Sequence, residues 1–129
     1  MNSIVLDSSA VLAMAYIEPG GNKVRAAIVS PLYSVSISAI NWCEVFTKLS
    51  QKSPIMTAEK LSSILPGVEV VPFDQAEAER TAILARSCPA LSLGDRACLA
   101  LASHLDATAW TTDKIWAQMP ARAKIEMLR

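Results

Sequence analysis

The sequence predicts an α/β fold in which a mainly parallel sheet of about five strands is flanked by helices. Short β-rich segments alternate with longer helical segments along the chain, and this alternation is typical of βαβ units. The helical segments begin after Ser or Asp and end before Pro or Gly, the residues that commonly start and stop helices. A length of 129 residues suits one compact domain, and we expect residues 1–129 to form it.

Punctuating residues divide the first half of the chain into its expected elements. Asp7 and Ser38 are good helix N-caps, whereas Pro19, Pro31 and Pro66 each end a helical segment. We expect strands at residues 4–6, 33–37 and 68–71, with helices at 9–17, up to about 29, from 39 onward, and at 57–65.

The second half repeats the alternation with shorter strands. Asp74 starts an Ala- and Glu-rich helix that ends near residue 87, before Pro89. Ser92 opens a further helix to about residue 105, and Asp113 caps one more helical turn. Strands are expected at residues 108–111 and 125–128.

The composition indicates a chain that does not enter the membrane. Hydrophobic residues make up 52% of it and aromatic residues only 5%, so small aliphatic side chains are expected to fill the core. The longest apolar run, residues 10–17, is far shorter than the roughly 20 residues needed to span a bilayer. No basic residue precedes Lys23, which disfavours a secretory signal with a basic start. We therefore expect a cytoplasmic protein.

Charge and side-chain chemistry exclude several function classes. Twelve basic residues balance twelve acidic ones, so a global positive field that steers nucleic acid is absent and any such contact must be local. Cys43, Cys88 and Cys98 are odd in number and lack CxxC spacing, so we expect core residues and neither disulfides nor a zinc site. His104 is the lone histidine and lies on the polar side of its helix, which disfavours Ser/His/Asp catalysis.

Four acidic residues follow strands or begin helices that should meet at one edge of the sheet. In open α/β folds the carboxyl ends of parallel strands gather at the edge where ligands bind. The acids expected there are Asp7, Glu44, Asp95 and Asp113. Each also has a structural interpretation: Asp7 and Asp113 as N-caps, Asp95 in a capping box with Ser92, and Glu44 as a solvated partner of Lys48.

Asp95 favours the chemical interpretation. On a helical wheel it shares a face with Cys98, Leu99 and Ala102, so its carboxylate is expected on the buried side. Converging carboxylates repel each other, and they need a cation or bound protons. Oxygen ligands without His or Cys suit Mg²⁺ or Mn²⁺, and a metal of this kind promotes phosphodiester hydrolysis.

Four segments resemble the PIN-domain family, specifically the VapC-type ribonuclease toxins of toxin-antitoxin pairs. The matching runs are IVLDSSA at residues 4–10, SAINWCEV at 38–45, LSLGDRACLALA at 91–102, and TTDKIWA at 111–117. The resemblance covers nearly the whole chain, and the third run is the most specific of the four.

The resemblance implies a PIN-like fold and a metal-dependent endoribonuclease that hydrolyses RNA and inhibits growth. It implies that Asp7, Asp95 and Asp113 bind Mg²⁺ or Mn²⁺, that Glu44 is a ligand or orients the attacking water, and that Ser8 or Thr111 helps to set the site. It also implies a homodimer and a VapB-type antitoxin whose C-terminal segment fills the groove, often with an arginine near the acids. Some members carry a further acid where Trp116 and Ala117 stand here, so the number of metal ions stays open.

RNA binding requires positive charge near these acids. We expect Arg96 and Lys48 to contact phosphate first, with Lys52 and Lys114 as further candidates, although each could be an ordinary solvated charge. With two Tyr and two Phe residues, platforms for stacking bases are scarce, which favours recognition of RNA shape and backbone.

Other protein classes fit the sequence less well. A haloacid dehalogenase-type phosphatase needs a second Asp two residues after the first, where this chain has Ser9. A response-regulator receiver expects its phosphoacceptor Asp at the end of a strand in mid-chain, where the nearby acids are Glu69 and Asp74. The strongest alternative is a catalytically silent PIN-like module that binds RNA or a partner, and retention of all four acids argues against it.

Overall fold

The computed structural model describes residues 2–118 and 124–129 of the chain. Five strands form one sheet in the order β3-β2-β1-β4-β5, and every neighbouring pair is parallel. The strands are β1 Asn2–Leu6, β2 Tyr33–Ser38, β3 Glu69–Val71, β4 Thr108–Thr111 and β5 Lys124–Met127. The predicted α/β class with a parallel sheet of about five strands is thereby confirmed.

Six α-helices fall within the described residues and connect these strands. They are α1 Ser8–Ala15, α2 Gly21–Val29, α3 Ala39–Lys52, α4 Ala58–Ile64, α5 Gln75–Ile83 and α6 Leu93–His104, with short 3-10 turns at Leu84–Arg86 and Lys114–Gln118. Side-chain N-caps at Ser38, Asp74 and Ser92 accept from the first turns of α3, α5 and α6, as the sequence predicts. None of the helices in this part of the chain is long and apolar enough to cross a membrane.

The register of β1 places its end beside the end of β4. Leu6 of β1 pairs with Trp110 of β4, and the amide of Asp7 donates to the Trp110 carbonyl at 2.9 Å. Asp7 therefore lies next to Thr111, at the carboxyl edge of the sheet. Because β1 is also paired with β2, the start of α3 reaches the same edge from the other side.

Two hydrophobic cores lie on opposite faces of the sheet, because successive strand residues point to opposite sides. Ile4 and Leu6 pack against α1 to α4 on one face, whereas Val5 packs with Leu99 and Trp116 on the other. Cys88 and Cys98 are buried there as expected. The expectation of a core position was wrong for Cys43, which is exposed because it faces away from both cores on α3.

Candidate active site

A cavity of about 460 Å³ opens at the carboxyl edge of the sheet. The four acids singled out from the sequence all line it, although they come from four separate segments: Asp7, Glu44, Asp95 and Asp113. A fold that places four carboxylates around one cavity concentrates negative charge there, and the structure must compensate for it.

Asp7 is the most buried of these acids, with 3% of its surface exposed. It occupies the N-cap position of α1, yet its side chain makes no capping hydrogen bond. Its Oδ2 atom instead accepts from the Ser9 hydroxyl at 2.7 Å and from the Thr111 hydroxyl at 2.9 Å. Two hydroxyl groups thus hold this carboxylate in one orientation, and helix capping does not explain its presence.

Burial raises the pKa of Asp7 from 3.8 to about 6. The hydrogen bonds from Ser9 and Thr111 oppose this rise, because they stabilise the charged form, whereas the negative charge of Asp95 adds to it. A buried carboxylate with this pKa is easily neutralised, either by a proton or by a cation.

Glu44 is turned toward the cavity by contacts from three segments. Its Oε1 atom accepts from the Ser8 hydroxyl at 2.5 Å and from Nδ2 of Asn41 at 3.1 Å. Asn41 is fully buried, and the same amide group also donates to the Gly94 carbonyl at 3.0 Å. Glu44 is therefore held at the junction of α1, α3 and α6. Within residues 2–118 and 124–129, Glu44 does not form the ion pair with Lys48 that the helical wheel suggests.

Gly94 leaves the space that the Glu44 carboxylate occupies. A Cβ atom built on Gly94 would overlap both carboxylate oxygens and Cδ of Glu44. The glycine is needed here for close approach, since its backbone has no positive φ angle. The second residue of α6 thus sets how near the Glu44 carboxylate comes to the start of that helix.

Asp95 and Asp113 both combine a local structural role with a place in the cavity wall. Asp95 is half-buried and forms a capping box with Ser92, as the sequence predicts. Burial raises the pKa of Asp95, and the charges of Asp113 and Glu44 raise it further. Oδ1 of Asp113 accepts from the Ile115 amide at 3.1 Å, and its own amide donates to the Thr111 hydroxyl at 3.0 Å.

The four basic residues predicted to contact RNA lie at different distances from the cavity. Lys48 lines it. Lys52 places its Nζ atom 4.2 Å from the ring centre of Tyr16, which is a lining residue. Arg96 lies outside the lining and donates to the Thr81 carbonyl at 3.1 Å, and Lys114 is exposed beside Asp113.

Several residues of the site were not singled out by sequence reasoning. Ser9 donates to Asp7, Asn41 orders Glu44, Gly94 makes room for it, and Thr112 and Arg129 line the cavity. Asn41 lies three residues before Glu44 on the same helix, a spacing that places both side chains on one face and could have indicated the contact. The contribution of Arg129 depends on how β5 pairs with β4, and no local pattern signals it.

The donor chemistry fits a hard divalent cation. The cavity offers carboxylates and hydroxyls, and burial together with repulsion from Asp95 makes the charged form of Asp7 costly without a counterion. Over residues 2–118 and 124–129, no three acidic, imidazole or thiol side chains form a group that could hold one ion. A cation bound here would be held by oxygen atoms of these acids and would complete its shell with water, as Mg²⁺ commonly does.

Solved structures with the same fold come from several bacteria. A toxin-antitoxin complex from Klebsiella pneumoniae is 20% identical, with a TM-score of 0.76 and 98% of each chain covered. VapBC2 from Rickettsia felis bound to promoter DNA is 16% identical, with a TM-score of 0.71 over 98% of this chain and 99% of that chain. DNA-bound VapBC from Salmonella typhimurium is 17% identical, with a TM-score of 0.69 over the full length of both chains.

Comparison with sequences and family models gives a clear family assignment. A search of curated protein sequences found no match. The model of the PIN domain matches residues 4–122, which include all four acids of the cavity. Because this match spans nearly the whole chain and agrees with the fold, the protein belongs to the PIN-domain family.

Proposed function

We propose that the chain, folded as a single PIN domain over residues 1–129, is a metal-dependent endoribonuclease and the toxin of a VapBC-type module. The proposal is supported by the PIN-domain match and by structural neighbours described as VapBC or toxin-antitoxin complexes. Hydrolysis of RNA phosphodiester bonds by the free toxin inhibits translation and growth, and a cognate VapB-type antitoxin suppresses this activity.

The observation that carries the proposal is the environment of Asp7. A carboxylate that is 3% exposed, receives two hydroxyl hydrogen bonds and lies near a second acid is costly to keep charged. Such an arrangement is typical of a functional site, because a simple helix cap needs neither the burial nor the neighbouring charge. A divalent cation would offset the repulsion and stabilise the charged form.

We assign Asp7, Asp95 and Asp113 to metal binding, partly through water, with Glu44 as a further ligand or as the residue that orients the attacking water. When bound, Mg²⁺ or Mn²⁺ supplies Lewis-acid stabilisation of the phosphodiester and lowers the pKa of a bound water. The Ser8 hydroxyl and the Asn41 amide keep Glu44 aimed into the cavity, so that it can accept a proton from water there.

Basic residues around the acids hold the RNA backbone in this proposal. Lys48 lines the cavity, so its ammonium group can reach the phosphate that undergoes cleavage. Lys52 lies over the ring of Tyr16, which lines the cavity. Arg96 and Lys114 extend the contacts with RNA beyond the cavity. We further propose that the protein acts in the cytoplasm as a homodimer.

Cleavage of RNA by the purified protein tests the enzymatic part of the proposal. We expect cleavage with Mg²⁺ or Mn²⁺, and we expect Asp7→Asn and Asp95→Asn to abolish it while circular dichroism spectra stay unchanged. Asp106→Asn is the matched control, because Asp106 is 94% exposed at its side chain and lies outside the cavity lining. Cleavage that persists in excess chelator would contradict metal dependence.

Binding of Mn²⁺ can be measured independently of activity. Isothermal calorimetry is expected to show saturable binding to the wild-type protein and much weaker binding to Asp7→Asn, with Asp106→Asn resembling the wild type. Equal affinities in all three proteins would mean that Mn²⁺ binds elsewhere.

Growth after expression of the chain alone separates a toxin from a silent RNA- or partner-binding module. Growth arrest that disappears with Asp95→Asn and with co-expression of a protein encoded directly upstream supports the toxin-antitoxin role. Normal growth with soluble, folded protein favours the silent module. Mapping of cleavage sites in total cellular RNA then identifies the substrate.

A further inference from the structure

The guanidinium group of Arg129 reaches the wall of the acidic cavity. Its Nη2 atom donates to the Thr112 hydroxyl at 3.3 Å and lies 3.7 Å from Oε1 of Glu18. Thr112 and Glu18 also line the cavity. Arg129 therefore places a positive charge on a part of the cavity wall that is distinct from the position of Lys48.

Three contacts of Leu128 fix the backbone before Arg129. The amide of Leu128 donates to the Thr111 carbonyl at 2.9 Å, and the Leu128 side chain packs against the larger core. Gly20, which has a φ angle of 93°, lies so close to Leu128 that a Cβ atom there would be 2.9 Å from it. These contacts keep Arg129 at the cavity and limit the entropy that a ligand must overcome to order it.

The contacts of Arg129 with residues 2–118 and 124–128 use few of its hydrogen-bond donors. A guanidinium carries five N–H donors, and within this part of the chain one hydroxyl and one longer ion pair engage it. The Arg129 and Glu18 side chains are 36% and 44% exposed, so their ion pair contributes little and can exchange for another anion. Arginine binds phosphate oxygens in a bidentate manner, which makes a phosphate the natural replacement for Glu18.

Arg129 and Lys48 approach the acids from opposite sides. Lys48 follows Glu44 on α3, which leaves the sheet from β2, whereas Arg129 contacts Thr112, which follows β4. β1 lies between β2 and β4 and ends at Asp7. A nucleic acid strand that crosses the acids thus meets Lys48 on the β2 side and Arg129 on the β4 side.

We propose that Arg129 binds a backbone phosphate that neighbours the cleaved one, and that this phosphate displaces Glu18, which competes weakly for the guanidinium. This inference rests on the proposed ribonuclease function and deepens it, since it names the contact that positions the substrate on the β4 side. Arg129 is a substrate-binding residue in this scheme and takes no part in proton transfer.

Fluorescence anisotropy with a labelled single-stranded oligouridylate, in Ca²⁺ to prevent turnover, tests the phosphate contact. We expect Arg129→Gln to weaken binding about tenfold or more, because a hydrogen bond to a charged group is lost. The slope of log K against log salt should fall in magnitude by about 0.7, the value for one single-strand phosphate contact. Arg129→Lys should restore most of the slope, and Lys60→Gln, which removes an exposed charge on α4 outside the cavity, should change neither quantity.

The Glu18→Gln variant tests whether Glu18 competes with phosphate for the Arg129 guanidinium. Removing the competing carboxylate should tighten RNA binding about two- to threefold, in line with a weak exposed ion pair. The gain should vanish in the Glu18→Gln, Arg129→Gln double variant. Wild-type affinity and salt slope in Arg129→Gln would overturn the inference and leave the ribonuclease proposal intact. Failure of the wild-type protein to bind the oligouridylate and to cleave RNA would overturn both.

Discussion

The Thr111 hydroxyl donates a 2.9 Å hydrogen bond to Oδ2 of Asp7, although 104 residues separate the two in sequence. The same hydroxyl accepts from the Asp113 amide at 3.0 Å. A single side chain at the end of β4 therefore connects the buried carboxylate after β1 to the backbone of a second acid. Thr111 is fully buried, so water cannot replace these bonds without a rearrangement.

Thr111→Val removes this donor and keeps the shape of the side chain. We expect the free energy of unfolding to fall by about 1–3 kcal/mol, because the Asp7 carboxylate loses a buried hydrogen bond. The pKa of Asp7 should rise, since one of the groups that stabilise its charged form is gone. Urea unfolding and Mn²⁺ calorimetry measure these effects, and Thr111→Ser, which keeps the hydroxyl, should retain most of the metal affinity. Equal Mn²⁺ affinity in the Val variant would contradict the assigned role.

Stability of the metal-free protein should fall as the pH rises from about 4 to above 6. Burial raises the pKa of Asp7 from 3.8 to about 6, so the folded state holds a proton that the unfolded state has released in this range. The stabilisation is complete below the lower pKa and is lost through the upper one. A shift of about two units corresponds to about 3 kcal/mol, and the raised pKa of Asp95 acts in the same direction.

Urea unfolding across this pH range, in excess chelator, measures the effect as a difference between variants. Asp7→Asn should be less pH-dependent than the wild type and more stable than it near pH 7. Asp106→Asn should follow the wild-type curve, because Asp106 is exposed and asparagine tolerates its φ angle of 52°. If Asp7→Asn followed the wild-type curve, the buried carboxylate would not be the source of the pH dependence.

The site residues that directly follow strands can be predicted from the sequence alone. Asp7 and Asp113 follow β1 and β4, and parallel pairing of neighbouring strands brings such positions to one edge whatever fills the loops. The position of Asp95 can also be predicted from the sequence, because the Ser92 capping box and the buried stripe of α6 both follow from residue spacing within that one helix.

The environment of Glu44 cannot be predicted from the residues of its own helix. A helical wheel sets it opposite the apolar face of α3, and this position alone suggests a solvated side chain. In the structure Glu44 accepts a hydrogen bond from Ser8 of α1 and lies against Gly94 of α6. The residues that surround its carboxylate therefore belong partly to two other helices. The packing of α3 between those helices depends on tertiary contacts, which a pattern within one helix does not contain.

Gly94→Ala should displace Glu44 while leaving the fold stable. The new methyl group overlaps the Glu44 carboxylate, which is the movable end of a flexible side chain. Alanine also favours helix formation by up to about 1 kcal/mol, so the free energy of unfolding should change by less than about 1 kcal/mol. RNA cleavage, by contrast, should fall at least about tenfold, because Glu44 loses its orientation toward the reacting water.

A double-variant cycle shows whether this effect acts through Glu44. If Gly94→Ala disturbs only the Glu44 carboxylate, it should cause little further loss of cleavage in a Glu44→Gln background. Additive losses would show that the methyl group disturbs the site in another way.

Asn41→Ala should be among the most destabilising substitutions near the cavity. Asn41 is fully buried, and its Nδ2 group donates to Ser8, Glu44 and Gly94. Truncation removes these hydrogen bonds and leaves the Gly94 carbonyl without this donor, and we expect a loss of about 2–4 kcal/mol by urea unfolding, together with weaker Mn²⁺ binding. Ser50→Ala, on the same helix, is the control: its buried hydroxyl has no hydrogen-bond partner among the described residues, so its loss should cost less than about 1 kcal/mol. Similar losses in the two variants would indicate that the Asn41 contacts contribute nothing beyond ordinary packing.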